Sequence, residues 1–208
     1  MSPNDQSFVL RSTVTSPFGR KVRIAVDVLG LGDRVALQPA DTLDADDTLR
    51  QQNPLGKMPC LLLGDGTAIY DSGVIIEFLQ ELAGSAALVP ASGPGRYAAL
   101  TQATLADGIT DAALLLVYEK RFRDPGTQSE RWLDHQRGKI ARALAAFEAA
   151  PPDPIKTDIV AIALCCALAY LDWRQPVNWR EDHPRLAAWL AAFARHEPAY
   201  ERTRAPNA

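Results

Sequence analysis

The chain has 208 residues, of which 47% are hydrophobic and 23% charged, and a net charge of −3. These proportions lie near the globular average and exclude disordered, collagen-like and low-complexity classes, while the slight acidic balance lacks the basic footprint of a nucleic-acid binder. A chain of this length buries ~70% of its unfolded surface and needs no covalent staple.

The predicted elements fall into two unlike halves. Met1 to Ser7 is polar and lacks the apolar core of a signal peptide. Phe8-Val9-Leu10 is a short strand. Val22, Ala25, Val26 and Leu29 recur at i, i+3, i+4 and i+7, the apolar face of a helix that Gly30 and Gly32 end. Val35 to Leu37 predicts a second strand, and Asp41 to Asp47 an acidic loop or the start of a helix. Cys60 to Leu63 and Thr67 to Tyr70 flank Gly64-Asp65-Gly66, the pattern of an antiparallel hairpin. Ile75, Phe78, Leu79 and Leu82 then mark a helix over 74–82. A strand–helix–strand unit joined to a hairpin and a closing helix predicts a mixed sheet of about four strands over residues 1–83.

Residues 84–95 (GSAALVPASGPG) read as a linker. Beyond it, helical patterns cover 96–121, 128–149, 157–173 and 184–195, so 96–208 is predicted to be all-helical. Ile159 to Leu171 is apolar all round, which suits a helix enclosed by others. At 13 residues that run is too short to span a bilayer. The cysteines, Cys60, Cys165 and Cys166, form neither a CxxC pair nor a disulfide framework, and the adjacent pair reads as buried small hydrophobes. A reducing, cytoplasmic compartment is expected. His135, His183 and His196 are too scattered for a metal site, and the four tryptophans read as core or interface.

Three short segments could carry chemistry. Ser16 precedes Pro17, which suits the first helical position, so Ser16 is the expected N-cap. Its hydroxyl either only satisfies a free backbone N–H or points into a cleft at the positive end of the helix, where anions are favoured. Ser12, Thr13 and Thr15 are competing hydroxyls. In Asn53-Pro54-Leu55-Gly56-Lys57-Met58-Pro59, the proline directly before a strand is a candidate cis proline, which would turn the Met58 backbone outward toward a ligand. Asp71 and Ser72 join strand to helix. With Ser72 as N-cap they are ordinary capping residues, or else a carboxylate and a hydroxyl able to hold the ammonium and carboxylate of an amino acid.

Taken together, S-P-F-G-R-K-V-R at 16–23, N-P-L-G-K-M-P at 53–59 and D-S-G-V-I-I-E-F-L at 71–79 resemble the glutathione S-transferase family in order and spacing. A-D-G-I-T-D-A-A-L-L-L-V-Y-E at 106–119 is similar to the first helix of that family's second domain, especially in poorly characterised bacterial members. The resemblance implies an α+β chain, a thioredoxin-like N-terminal domain followed by an all-helical domain that forms the wall for a second substrate. It implies glutathione as co-substrate, no metal, and a homodimer that binds neither nucleic acid nor membrane. Ser16 resembles the serine facing the glutathione sulfur. Met58, before Pro59, resembles the residue whose backbone pairs with the cysteinyl moiety. Asp71 and Ser72 resemble the pair binding the γ-glutamyl end, and Lys57 a basic contact of some classes.

The implied activity is a transferase that activates the thiol for attack on a small electrophile. The alternatives are a glutathione-dependent peroxidase or reductase, or a non-catalytic binding protein. Reductase types carry Cys where this chain has Ser16. Val14, Phe18 and residues 107–118 are expected along the second substrate, with Arg121 or Arg123 available to an anionic one. The central helix departs from the family's Ser/Thr-x-x-Asp capping box, since Asp158 is followed by Ala161 at N3. It is expected to be capped but less reinforced.

Overall fold

The computed structural model describes residues 7–206. The polar stretch 1–6, on which the signal-peptide expectation mainly rests, lies outside them. The elements are β1 (Phe8–Arg11), α1 (Pro17–Val28), β2 (Val35–Gln38), α2 (Leu49–Gln52), β3 (Cys60–Leu62), β4 (Ala68–Ile69), α3 (Ser72–Leu82), α4 (Pro94–Phe122), α5 (Glu130–Ala149), α6 (Ile159–Arg174), α7 (Pro184–His196) and α8 (Pro198–Arg202). They group into two compact units. The first runs through Val89 and takes in the residues from Ala199, and the second is Pro90–Pro198.

In the first unit the strands form one mixed sheet in the order β2-β1-β3-β4, with β1–β2 parallel and the other two pairs antiparallel. This is a thioredoxin-like arrangement of four strands. Side chains alternate between faces. Cys60 and Leu62 join Ala40 and Leu49 in a small core under α2, while Leu61 turns to the opposite side. Phe8 meets Phe78 of α3 edge-on at 5.8 Å. The apolar face of α1 is buried as its spacing predicts, with Val22 and Ala25 fully enclosed. Gly30 ends α1 at φ +68°, where a side chain would be strained. The Gly30 and Leu31 amides donate to the Asp27 and Val26 carbonyls, the paired bonds of a Schellman motif.

One open alternative is decided, and two features differ from expectation. The acidic stretch 41–47 is a loop of local turns, in which the Asp41 carboxylate accepts from the Leu43 amide at 2.8 Å and Asp44 from that of Asp46 at 2.9 Å. The N-cap of α3 is Asp71 rather than Ser72. The stretch 84–95 is docked in its first half. Gln80 Oε1 accepts from the Leu88 and Val89 amides at 2.9 and 2.6 Å, and its Nε2 donates to the Val89 carbonyl at 2.9 Å. Leu88 and Val89 are fully buried.

The second unit is helical throughout. α4 packs on α5 and α6, and α7 on α5 and α6. α4 is long and apolar enough by length and composition to cross a bilayer, but Ala103, Ala106, Ile109, Ala113 and Leu116 are spent on the helical core. In α6, 12 of 16 residues are buried, which is why its sequence has no polar face. Asp158 caps α6, accepting from the Val160 and Ala161 amides at 3.0 and 3.1 Å, so the missing N3 carboxylate costs the helix only its reciprocal bond. Cys165 and Cys166 are buried thiols, as their apolar setting predicts.

Candidate functional site

The three segments converge through the register of the sheet. The ladders pair Arg11 with Cys60 and Leu61 with Ile69. Carried one or two residues further, the same register sets Thr13 beside Met58 and Pro59 beside Asp71. The turn before α1, the loop before β3 and the start of α3 therefore share one end of the sheet. A direct contact supports this, since the Thr13 hydroxyl reaches Met58 Sδ at 3.5 Å.

Ser16 is the N-cap of α1 and Pro17 its first residue. The Ser16 Oγ accepts from the Gly19 amide at 3.0 Å. A hydroxyl carries one donor besides its acceptor positions, and no acceptor for the Ser16 O–H is present among the described residues. The competing hydroxyls are engaged. Thr13 and Thr15 share a hydrogen bond of 3.0 Å, and Ser12 is fully buried against Gly19, where a Cβ would collide with its Oγ. The first turn of α1 contains no acidic side chain, so the positive end of its dipole is not neutralised from within.

The second segment is organised by Asn53, which is buried to 1% exposure. Its Nδ2 donates to the Lys57 carbonyl at 2.8 Å and its Oδ1 accepts from the Leu55 amide at 3.1 Å. Gly56 turns the loop at φ +59°, and the Met58–Pro59 peptide bond is cis, as is Tyr70–Asp71. The Met58 N–H and C=O make no backbone hydrogen bond among the described residues, so both are available to an extended ligand adding beside the sheet. Lys57 extends into solvent.

In the third segment Asp71 Oδ1 accepts from the Gly73 and Val74 amides at 2.9 and 3.4 Å. Its second oxygen has no partner among the described residues. Ser72, buried at the first position of α3, presents a hydroxyl equally without one. A carboxylate oxygen and a hydroxyl at a helix N-terminus thus stand uncommitted side by side.

One network was missed by sequence reasoning. Arg11, 4% exposed, donates through Nη2 to Asp47 at 2.7 Å and through Nη1 to Thr48 and Gln52 at 2.9 and 3.0 Å. Asp47 also accepts from the Asp41 and Leu49 amides, both at 2.7 Å. These amide bonds first, and the Arg11 guanidinium after them, hold the Asp47 carboxyl below its ordinary value. The only trace in the sequence is a charged residue ending an apolar strand. Across the ladder from Arg11, burial pushes the Cys60 thiol up. Of the two arginines expected to be open to an anion, Arg123 is paired with Glu119 at 2.9 Å, whereas Arg121 lies over Phe122. Among the described residues no three His, Cys, Asp or Glu side chains gather as a metal site.

A family model for the glutathione S-transferase N-terminal domain matches residues 15–82. The uncharacterised GST-like protein YibF of Escherichia coli is 35% identical over 202 residues, 91% of this chain and 98% of that protein. The chain belongs to the glutathione S-transferase family. Two solved structures of glutathione transferases resemble it along nearly their whole length. A family member from Pseudomonas fluorescens Pf-5, crystallised with bound glutathione, is 43% identical at a TM-score of 0.89 over 96% of this chain and 100% of that one. A glutathione S-transferase from Methylobacterium radiotolerans, in complex with glutathione sulfonate, is 33% identical at a TM-score of 0.86 over 97% and 96% of the two chains. For a glutathione S-transferase, the order of the parts follows from the fold. The end of the sheet at Met58 presents backbone, α3 presents Asp71 and Ser72, and α1 presents a hydroxyl at its positive end.

Proposed function

We propose that this protein binds glutathione along the sheet end described above and activates its thiol for attack on a small electrophile. The observation that carries the reading is the Ser16 hydroxyl, anchored by the Gly19 amide at 3.0 Å with its own proton uncommitted, at the N-terminus of a helix free of acidic compensation. Glutathione-bound relatives support the co-substrate. In this reading the Met58 backbone pairs with the cysteinyl moiety, next to Pro59. Asp71 takes the γ-glutamyl ammonium and Ser72 its carboxylate, while Lys57 screens the charge of the glycyl end.

The magnitudes are adequate. A free thiol of pKa ~8.5 is only ~3% thiolate at pH 7, and a depression of ~2 units, about 2.7 kcal/mol, raises that to ~75%. A hydrogen bond to the anion and the helix N-terminus both act in that direction. Ser16 is a donor here, not a covalent nucleophile. The reductase alternative lacks its protein sulfur, because Ser16 stands where exchange would need a cysteine and Cys60 is enclosed with its thiol pushed up. The buried cysteines, none of them in a disulfide, fit action in a reducing, cytoplasmic setting. A two-fold homodimer, implied by the family, belongs to the same proposal and is read by light scattering.

The test is a pH titration of protein-bound glutathione, followed by thiolate absorbance, in the wild type and in Ser16→Ala. A bound pKa about 2 units below the free value, moving back up by one unit or more in the variant, is the expected result. Tight binding with an unshifted thiol sinks the activation reading and leaves a binding protein.

A further inference from the structure

The face of α1 that begins at Ser16 is polar along its whole length, and none of the roles assigned so far uses it beyond Ser16. Arg20, Arg23 and Asp27 follow Ser16 at i+4, i+7 and i+11, one stripe of a helix. In the first unit the returning segment, residues 199–206, covers this stripe. Arg20 lies over the Tyr200 ring at 4.5 Å, and it donates to the Tyr200 carbonyl at 2.6 Å and to Thr203 Oγ1 at 3.3 Å. Arg202 pairs with Asp27 at 2.7 Å. Arg23 does something the others do not. Its Nη2 donates to the Thr203 carbonyl at 2.9 Å and also to the Val14 carbonyl at 3.1 Å.

Val14 belongs to the turn that ends at Ser16, closed by the Ser16 amide on the Thr13 carbonyl at 3.3 Å. That turn has no apolar anchor of its own, since Val14 and Thr15 are exposed. Thr13 is tied to Met58, but the stretch between Thr13 and Ser16 is fixed from outside by Arg23. A guanidinium suits this task because it is permanently charged and planar, and the single terminal nitrogen Nη2 carries two N–H groups, enough for both carbonyls.

We infer that segment 199–206 acts through Arg23 to hold the turn before Ser16 in place, making Arg23 a positioning residue for thiol activation. The inference rests on the reading of Ser16 above. Its physical content is that a hydroxyl displaced by ~1 Å loses much of its advantage as a donor.

Two readouts test it in Arg23→Gln and Arg23→Lys, with Arg202→Ala as a control that breaks an ion pair on the same stripe without touching the turn. The first is amide exchange at Ser16 and Gly19 in the glutathione-free protein. We expect exchange at these two amides to rise roughly tenfold in Arg23→Gln, less in Arg23→Lys and not in Arg202→Ala. The second is the pKa of the bound thiol, expected to rise by about one unit in Arg23→Gln, to rise less in Arg23→Lys, and to stay at the wild-type value in Arg202→Ala. Unchanged exchange in Arg23→Gln, or an equal pKa shift in Arg202→Ala, overturns the inference while leaving Ser16 activation standing. A wild-type thiol already at the free value overturns the activation reading, and the functional part of this inference with it.

Discussion

Asp71 illustrates how, in the proposed function, one side chain combines two tasks that can be pulled apart. One oxygen caps α3 through the Gly73 and Val74 amides; the other is open to an ammonium. Asparagine caps a helix as well as aspartate does, so Asp71→Asn keeps stability within a few tenths of a kcal/mol. It removes a charge-assisted bond of about 1.5–3 kcal/mol, which weakens glutathione binding roughly ten- to a hundredfold by calorimetry. Asp71→Ala loses the cap as well, a further ~1 kcal/mol in urea denaturation. If Asp71→Asn binds glutathione as the wild type does, the carboxylate does not hold the ammonium. Sequence reasoning found both residues of the pair but assigned the cap to Ser72. Either can cap in principle, and only the backbone conformation at Asp71, extended at φ −87° and ψ −162°, decides between them.

Elements were legible wherever their signal was local. The face of α1, the glycine that ends it, the Gly64–Gly66 hairpin and the apolar run that opens α6 are each written within 13 residues or fewer. What was not legible depends on partners far along the chain. Arg20 and Arg23 meet residues some 180 positions away, and Arg11 meets Asp47 across 36; no periodicity encodes such pairs. The linker reading of 84–95 failed in its first half because composition does not reveal that Gln80 satisfies the backbone at Leu88 and Val89. The Arg11–Asp47 tie between β1 and the loop before α2 carries a pH signature. The Asp47 carboxyl is held below its ordinary value of 3.8, so its stabilisation is fully present above about pH 4 and lost as pH falls through the lowered folded value. Asp47→Asn is expected to be about 1.5–3 kcal/mol less stable at pH 7, and the gap narrows as pH falls below about 4. A gap that stays constant across that range, read from urea midpoints, counts against Asp47 being ionised in the fold.

At the scale of the whole molecule the two units divide the labour of the proposal unequally, since every residue assigned to glutathione belongs to the first. Binding to the folded state stabilises by mass action, about 2.7 kcal/mol at a hundred times Kd. Glutathione is therefore expected to slow amide exchange first in β1, β3 and α1. Protection confined to α4–α7 would place the ligand elsewhere. The first unit is also assembled from two separated stretches of chain, through Val89 and again from Ala199, and this bears on how the protein is made. On the ribosome the sheet and α1 emerge early, but the segment that covers the Arg20–Arg23 stripe follows only after the whole helical unit has been synthesised. At 5–20 residues per second that delay is roughly 5–20 s. During that interval a nascent chain already holding its sheet has the serine in sequence but not yet the brace behind it, so on the proposed reading thiol activation waits for the returning segment.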